Sequence, residues 1–189
     1  RHSGTIAIGN TVKNSLGAFG VGIGMKDSSD FTLLENNLIY NPRGLYLDQS
    51  PYHPRTVNVF ERNNILYNSS GVQFQVSRER SIFKENVIKG NIEPVVSDTP
   101  RNNLDINDWS GNYWDMYEGF DKNGDGYGDI PYKHYVYADK LWLYNPNVKF
   151  FYGSVIMDLL NFLAKFIPFS EPELLAVDNK PMMEYKIAK

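Results

Sequence analysis

Five short stretches in the first 112 residues share one frame, and that repeat limits the fold more than any other feature. They are GNTVKN (9–14), NNLIYN (36–41), NNILYN (63–68), ENVIKG (85–90) and GNYWDM (111–116). Aligned on Asn10, Asn37, Asn64, Asn86 and Asn112, they recur at intervals of 27, 27, 22 and 26 residues. A second stretch follows each of the first three: GVGIGM (20–25), GLYLDQ (44–49) and GVQFQV (71–76). IEPVVS (92–97) reads as a degenerate fourth, and FTLLE (31–35), VNVFE (57–61) and SIFKE (81–85) precede the asparagine. A period of this size marks a solenoid, in which each repeat buries its apolar face by stacking on the next.

Each stretch is short and alternating. In GVQFQV, Val72, Phe74 and Val76 fall on one side and Gln73 and Gln75 on the other, the pattern of a strand with one buried face. Three such strands per repeat, separated by Asn, Gly and Ser turns, describe one coil of a parallel β-helix. The fold class is therefore all-β, with about five coils over 1–112. The recurrent asparagine suits a tight corner, where it tolerates left-handed backbone angles and can bond the next coil. An antiparallel sandwich with regular turns is the competing architecture. Position-matched repeats favour the solenoid.

Composition narrows the function. The 189 residues carry a formal net charge of −3, so no basic surplus exists for neutralising phosphates, and nucleic acid is not an expected partner. Cysteine is absent, which removes disulfides and Cys-based zinc sites. Arg1 opens the chain and no signal peptide is visible, which reads as a fragment or a trimmed mature chain. The repeat fades after Asn112. Residues 113–147 are crowded with rings, among them Trp114, Tyr117, Tyr132 and Trp142, and read as an aromatic cap over the open end.

Within that cap, DKNGDGYGD (121–129) has the spacing of a calcium loop. Asp121, Asn123, Asp125, the Tyr127 carbonyl and Asp129 stand at the alternate positions that supply oxygens, and Gly126 stands at the sharp turn. Tyr132 replaces the usual bidentate glutamate, and no flanking helices are predicted. The expected role is a structural Ca2+ clip. An acidic turn without metal fits the same residues.

The remaining 148–189 read as a helical tail. Ser154, Asp158, Asn161 and Lys165 form one polar stripe, with apolar residues over most of the remaining surface. Asp158, Lys165 and Pro168 argue against a membrane span. SEPELLAVD (170–178) reads as a second helix, with Ser170 and Glu173 as a capping box. The pair either packs back on the solenoid or docks on another body.

The run GNYWDMYEGFDKNGDGYGDIPY (111–132), placed after such coils and before the apolar helix and DNKPMM (178–183), resembles the NosD family. That resemblance implies a right-handed parallel β-helix in the periplasm. It implies an accessory protein, not an enzyme, that works with an ABC transporter to assemble the copper-sulfur centre of nitrous oxide reductase. Nitrous oxide reductase or a copper chaperone would be a transient partner. The membrane would be reached only through the permease. The tail would dock there, with Met157, Phe162, Phe166, Met182 and Met183 as contacts. Copper binding by the chain itself has no support from ligand spacing, since His2, His53 and His134 lie far apart and Met182-Met183 is the only thioether pair. The alternative is an extracytoplasmic β-helix that binds carbohydrate or acts as a polysaccharide hydrolase or lyase. That activity needs paired carboxylates, for which Asp27 and Asp48 are the nearest candidates.

Overall fold

Apolar residues at equivalent positions of successive repeats stack into columns that run the length of the molecule. The structure is a computed structural model that describes residues 4–99, 104–136, 155, 159 and 173–185. The first turn comprises β1 (Thr5–Ile8), β2 (Thr11–Lys13) and β3 (Val21–Lys26). The second comprises β4 (Phe31–Leu34), β5 (Asn37–Ile39) and β6 (Arg43–Asp48). The third comprises β7 (Asn58–Glu61), β8 (Asn64–Leu66) and β9 (Ser70–Val76), and the fourth β10 (Ser81–Lys84), β11 (Val87–Lys89) and β12 (Glu93–Ser97). A fifth begins with β13 (Asp108–Ser110) and β14 (Tyr113–Trp114). Every strand pairs in parallel with its counterpart in the next turn, which gives three sheets and a parallel β-solenoid of about four turns. The antiparallel sandwich is thereby set aside.

Two columns set the core. Ala7, Leu33, Phe60, Phe83 and Trp109 align in the first sheet, and Val12, Leu38, Ile65, Ile88 and Trp114 in the second. Rings in the first column stack, with centroids 4.7 Å apart for Phe60 and Phe83 and 3.9 Å for Phe83 and Trp109. Fully burying one such side chain stabilises by roughly 1.5–3 kcal/mol.

The corners explain the asparagines. Asn10, Asn36, Asn63, Asn86 and Asn112 form a ladder in which each Nδ2 donates to the Oδ1 of the next turn, at 2.9–3.0 Å. The backbone N–H of each donor residue reaches the same oxygen. The true rungs are thus Asn36 and Asn63, not Asn37 and Asn64. In each Asn-Asn doublet the first residue turns inward and the second opens a strand, where Asn64 Nδ2 donates to Asn37 Oδ1 at 2.7 Å. The residue before each rung has positive φ: Gly9, Glu35, Arg62, Glu85 and Gly111. Left-handed backbone costs a non-glycine residue about 1–2 kcal/mol, which the two bonds to each rung offset. A second ladder joins Asn41, Asn68 and Asn91 at the next corner.

The C-terminal region departs from the expected helical pair. Residues Glu173–Asp178 form a strand, β16, not the second helix expected over 170–178. It pairs in parallel with β13 at Trp109↔Asp178 and antiparallel with β15 (Tyr132–Val136). A further parallel bridge joins Tyr113 to Met182. Residues 178–182 therefore continue the solenoid at a constant offset of 69 from residues 109–113. Glu, Leu and Ala favour helix locally, but strand partners on both sides and burial of Leu175, Ala176 and Asp178 override that preference. Of the first predicted helix, only Val155 and Leu159 are described; both are helical and exposed.

His134 on β15 meets the outer edge of the third sheet. Its Nε2 lies 3.2 Å from the Val95 carbonyl oxygen and its Nδ1 3.2 Å from the Tyr132 hydroxyl. The neutral ring, donating from Nε2 and accepting at Nδ1, satisfies both contacts. Burial lowers its pKa from 6.5 to about 4. The neutral form is favoured in the folded state, so this stability is present above pH 6.5 and is lost as pH falls toward 4. Urea unfolding between those limits should show wild type losing on the order of 3 kcal/mol more than His134→Gln. Parallel curves for the two proteins would mean that the ring is solvated.

Candidate functional site

The chemistry predicted from sequence concentrates where the last turn meets 115–136 and 173–185. In the 121–129 loop, Asp121 Oδ1 accepts from the Gly124 and Asp125 amides at 2.6 and 3.2 Å, and its Oδ2 from Gly126 at 2.8 Å. The amides, that of Gly126 first, hold the exposed Asp121 carboxyl below its ordinary pKa. Asn123 Oδ1 accepts from Asp125 N, Asp125 Oδ1 from Tyr127 N, and Asp129 Oδ2 from Lys122 N. Gly124 and Gly126 turn with φ of +74° and +87°. The five predicted ligand positions thus share one loop, and the side chains of Asp121, Asn123, Asp125 and Asp129 bond its own backbone. Among the described residues no three His, Cys, Asp or Glu side chains gather to hold a metal ion. This arrangement alone does not support calcium binding, because carboxylates bonded to their own loop amides are common to calcium loops and to metal-free acidic turns.

The loop is tied down from both sides. Gly128 N donates to the Pro181 carbonyl at 2.8 Å and Met183 N to the Gly126 carbonyl at 3.0 Å. The Tyr117 hydroxyl passes between Gly119 and Gly128 and donates to the Ile130 carbonyl at 2.6 Å. A Cβ on either glycine would stand 1.9 Å from that oxygen. Gly128→Ala should therefore displace Tyr117 from its edge-on contact with Tyr132 and destabilise by about 1–3 kcal/mol. Thermal melting checks this, and an unchanged midpoint would show that the phenol swings away freely.

The residue that sequence reasoning missed is Asp178. It is fully buried and accepts five N–H donors. Oδ1 takes Gly111 N at 3.1 Å and Lys180 N at 3.0 Å. Oδ2 takes Asn112 N at 2.8 Å, Asn112 Nδ2 at 2.9 Å and Trp114 Nε1 at 3.1 Å. It ends the asparagine ladder as a further rung would. The only sequence signal is an acidic residue closing an apolar run.

The predicted docking residues divide. Met157, Phe162 and Phe166 lie outside the described residues. Met182 and Met183 are half-buried in the seam, where Met182 N donates to the Asn112 carbonyl at 2.9 Å. Asp27 and Asp48, the carboxylates considered for hydrolysis, are neighbours in adjacent turns, where Asp27 N donates to the Asp48 carbonyl at 3.0 Å. Asp48 is buried and paired with Lys26 at 3.1 Å, whereas Asp27 stands at a corner with φ of +48°.

Comparison with known proteins decides the family. A family model described as periplasmic copper-binding protein (NosD) matches residues 1–119. The chain belongs to the NosD family. Two curated relatives carry the name probable ABC transporter binding protein NosD. The relative from Stutzerimonas stutzeri is 30% identical over 133 residues, covering 70% of this chain and 30% of that protein. The relative from Pseudomonas aeruginosa is 29% identical over 133 residues, covering 70% and 31%. This NosD-family chain thus spans less than a third of the length of the relatives it matches. Among the described residues the soft donors do not gather into a copper site. Met25 is in the core, both nitrogens of His134 have partners, and His53 stands edge-on to Tyr52. Met116 is exposed, whereas Met182 and Met183 are half-buried.

Proposed function

We propose that this chain is the solenoid part of a periplasmic, non-enzymatic accessory protein. It works with an ABC transporter in assembling the copper-sulfur centre of nitrous oxide reductase. The observation that carries this reading is the NosD family match over residues 1–119. The relatives' names add ABC transporter binding. The winding expected for the family is right-handed. The solenoid supports a presenting role, because its buried carboxylates serve ladder ends and ion pairs in place of a solvent-facing acid-base pair.

The permease contact is assigned to the apolar part of the tail, Met157, Phe162 and Phe166. Val155 and Leu159, one helical turn apart, are both exposed and share a face, which supports an outward apolar surface there. Met182 and Met183 belong to the seam, so truncating the tail would also remove Asp178. The decisive experiment is co-purification of the chain with permease and ATPase, compared with a triple Met157→Ser, Phe162→Ser, Phe166→Ser variant. Loss of the complex with unchanged circular dichroism is expected. A wild-type chain that never retains the transporter would end this reading.

A further inference from the structure

The corner between the second and third sheets is crossed in three residues by turns 2 to 4: Tyr40-Asn41-Pro42, Tyr67-Asn68-Ser69 and Gly90-Asn91-Ile92. The first turn uses seven, residues 14–20. The extra length, Leu16-Gly17-Ala18-Phe19, contains no polar side chain. Its base is fixed. Ser15 N donates to Asn41 Oδ1 at 3.1 Å, Ser15 Oγ to the Val21 carbonyl at 2.8 Å, and Gly20 N to the Gly17 carbonyl at 2.9 Å. Leu16 is 92% exposed and Phe19 80%, above every other large apolar side chain of the solenoid. A Cβ on Gly17 would meet nothing within 4 Å, so the tip is convex.

Two further observations give the tip a chemistry. Behind it on the same corner, exposed Tyr40 and Tyr67 stack with centroids 5.4 Å apart. Both sit at φ +55°, a backbone unfavourable for a ring, where Asn14 and Gly90 occupy the same corner in neighbouring turns. Beside the tip are Lys13 and Arg43. Lys26, Arg62, Arg80 and Lys84 each face a carboxylate. Lys13 and Arg43 have no such partner among the described residues, and the Arg43 guanidinium lies 5.4 Å from the Phe19 ring centroid and 5.0 Å from that of Tyr46.

We infer that the 15–20 loop is an interfacial anchor for an anionic lipid surface. Leu16 and Phe19 would enter below the headgroups, the tyrosines would stand at headgroup level, and Lys13 and Arg43 would meet the anionic headgroups. A stable protein interface buries at least about 1,200 Å² with shape complementarity, more than a convex four-residue tip offers. A bilayer conforms to such a tip without a matching pocket. Two apolar side chains on one short loop make the contact peripheral. Two apolar side chains give weak, reversible binding that orients the chain at the bilayer. The inference does not depend on the transporter reading.

Co-sedimentation of the full chain with phosphatidylcholine vesicles, with and without phosphatidylglycerol, tests this. Binding is expected to the anionic vesicles. Leu16→Ser with Phe19→Ser should weaken it about tenfold or more, and Lys13→Gln with Arg43→Gln by about tenfold, at unchanged melting temperature. Only the basic pair's contribution should vanish in high salt. Absence of wild-type binding to either vesicle overturns the anchor, as does undiminished binding of the Leu16, Phe19 variant. Binding that requires transporter subunits in the vesicle overturns it in favour of a protein contact.

Discussion

Asp178→Ala should lower stability by on the order of 3–5 kcal/mol in urea unfolding. Five N–H donors point at this one carboxylate, and the four from Gly111, Asn112 and Trp114, all buried, cannot reach water once it is gone. The asparagine ladder makes the loss directional. Each rung donates to the next, so the last rung needs an acceptor that a methyl group cannot provide. Asp178→Asn separates charge from geometry. With its oxygen toward Asn112 and Trp114 it reproduces an ordinary rung, but its amide then faces the Gly111 and Lys180 donors. Its loss should be about half that of the alanine variant. A cost below about 0.5 kcal/mol for Asp178→Ala, the size of a surface change, would mean that β16 does not seal the last turn.

The coils were legible because their period is written in apolar residues that recur at matched positions. The exact rung was not, since Asn36-Asn37 and Asn63-Asn64 offer two candidates each and only the turn geometry separates them. The left-handed corners at Glu35, Arg62 and Glu85 left no trace either, because acidic and basic residues are not the types that announce positive φ. Arg62 instead bridges Glu35 on the preceding turn at 3.1 Å, and Glu35, Arg62 and Glu85 alternate in charge along the corner. The strand at 173–178 was misread for a related reason. Its helix-forming composition is local, while its partner β13 lies 69 residues away at Trp109↔Asp178. At the candidate site, the D-x-N-x-D-G pattern correctly located a tight acidic loop. The pattern is shared by calcium loops and by metal-free acidic turns, and the carboxylate–amide bonds seen here are common to both. Gly119 and Gly128, which sequence alone marks only as part of a signature, are explained by the Tyr117 hydroxyl between them.

Phe83→Ala should cost about 3–5 kcal/mol, and its effect should depend on place within the solenoid. The ring is fully buried, stacked on Phe60 and Trp109 and edge-on to Phe74 at 5.9 Å. Its removal opens a cavity between the third and fifth turns. In a solenoid each turn contacts only its neighbours, so stability is a sum of turn and interface contributions. Weakening one interface lets the segments on either side separate in stability. Hydrogen exchange should then show faster opening of β10 to β14 and β16 than of β4 to β9, whereas wild type exchanges with one common stability. Phe83→Leu, which keeps most of the volume, should cost no more than about 1.5 kcal/mol and preserve a single transition. If Phe83→Ala lowers protection equally in every turn, the solenoid unfolds as one cooperative unit. Asp178 would then stabilise the first turn as strongly as the last.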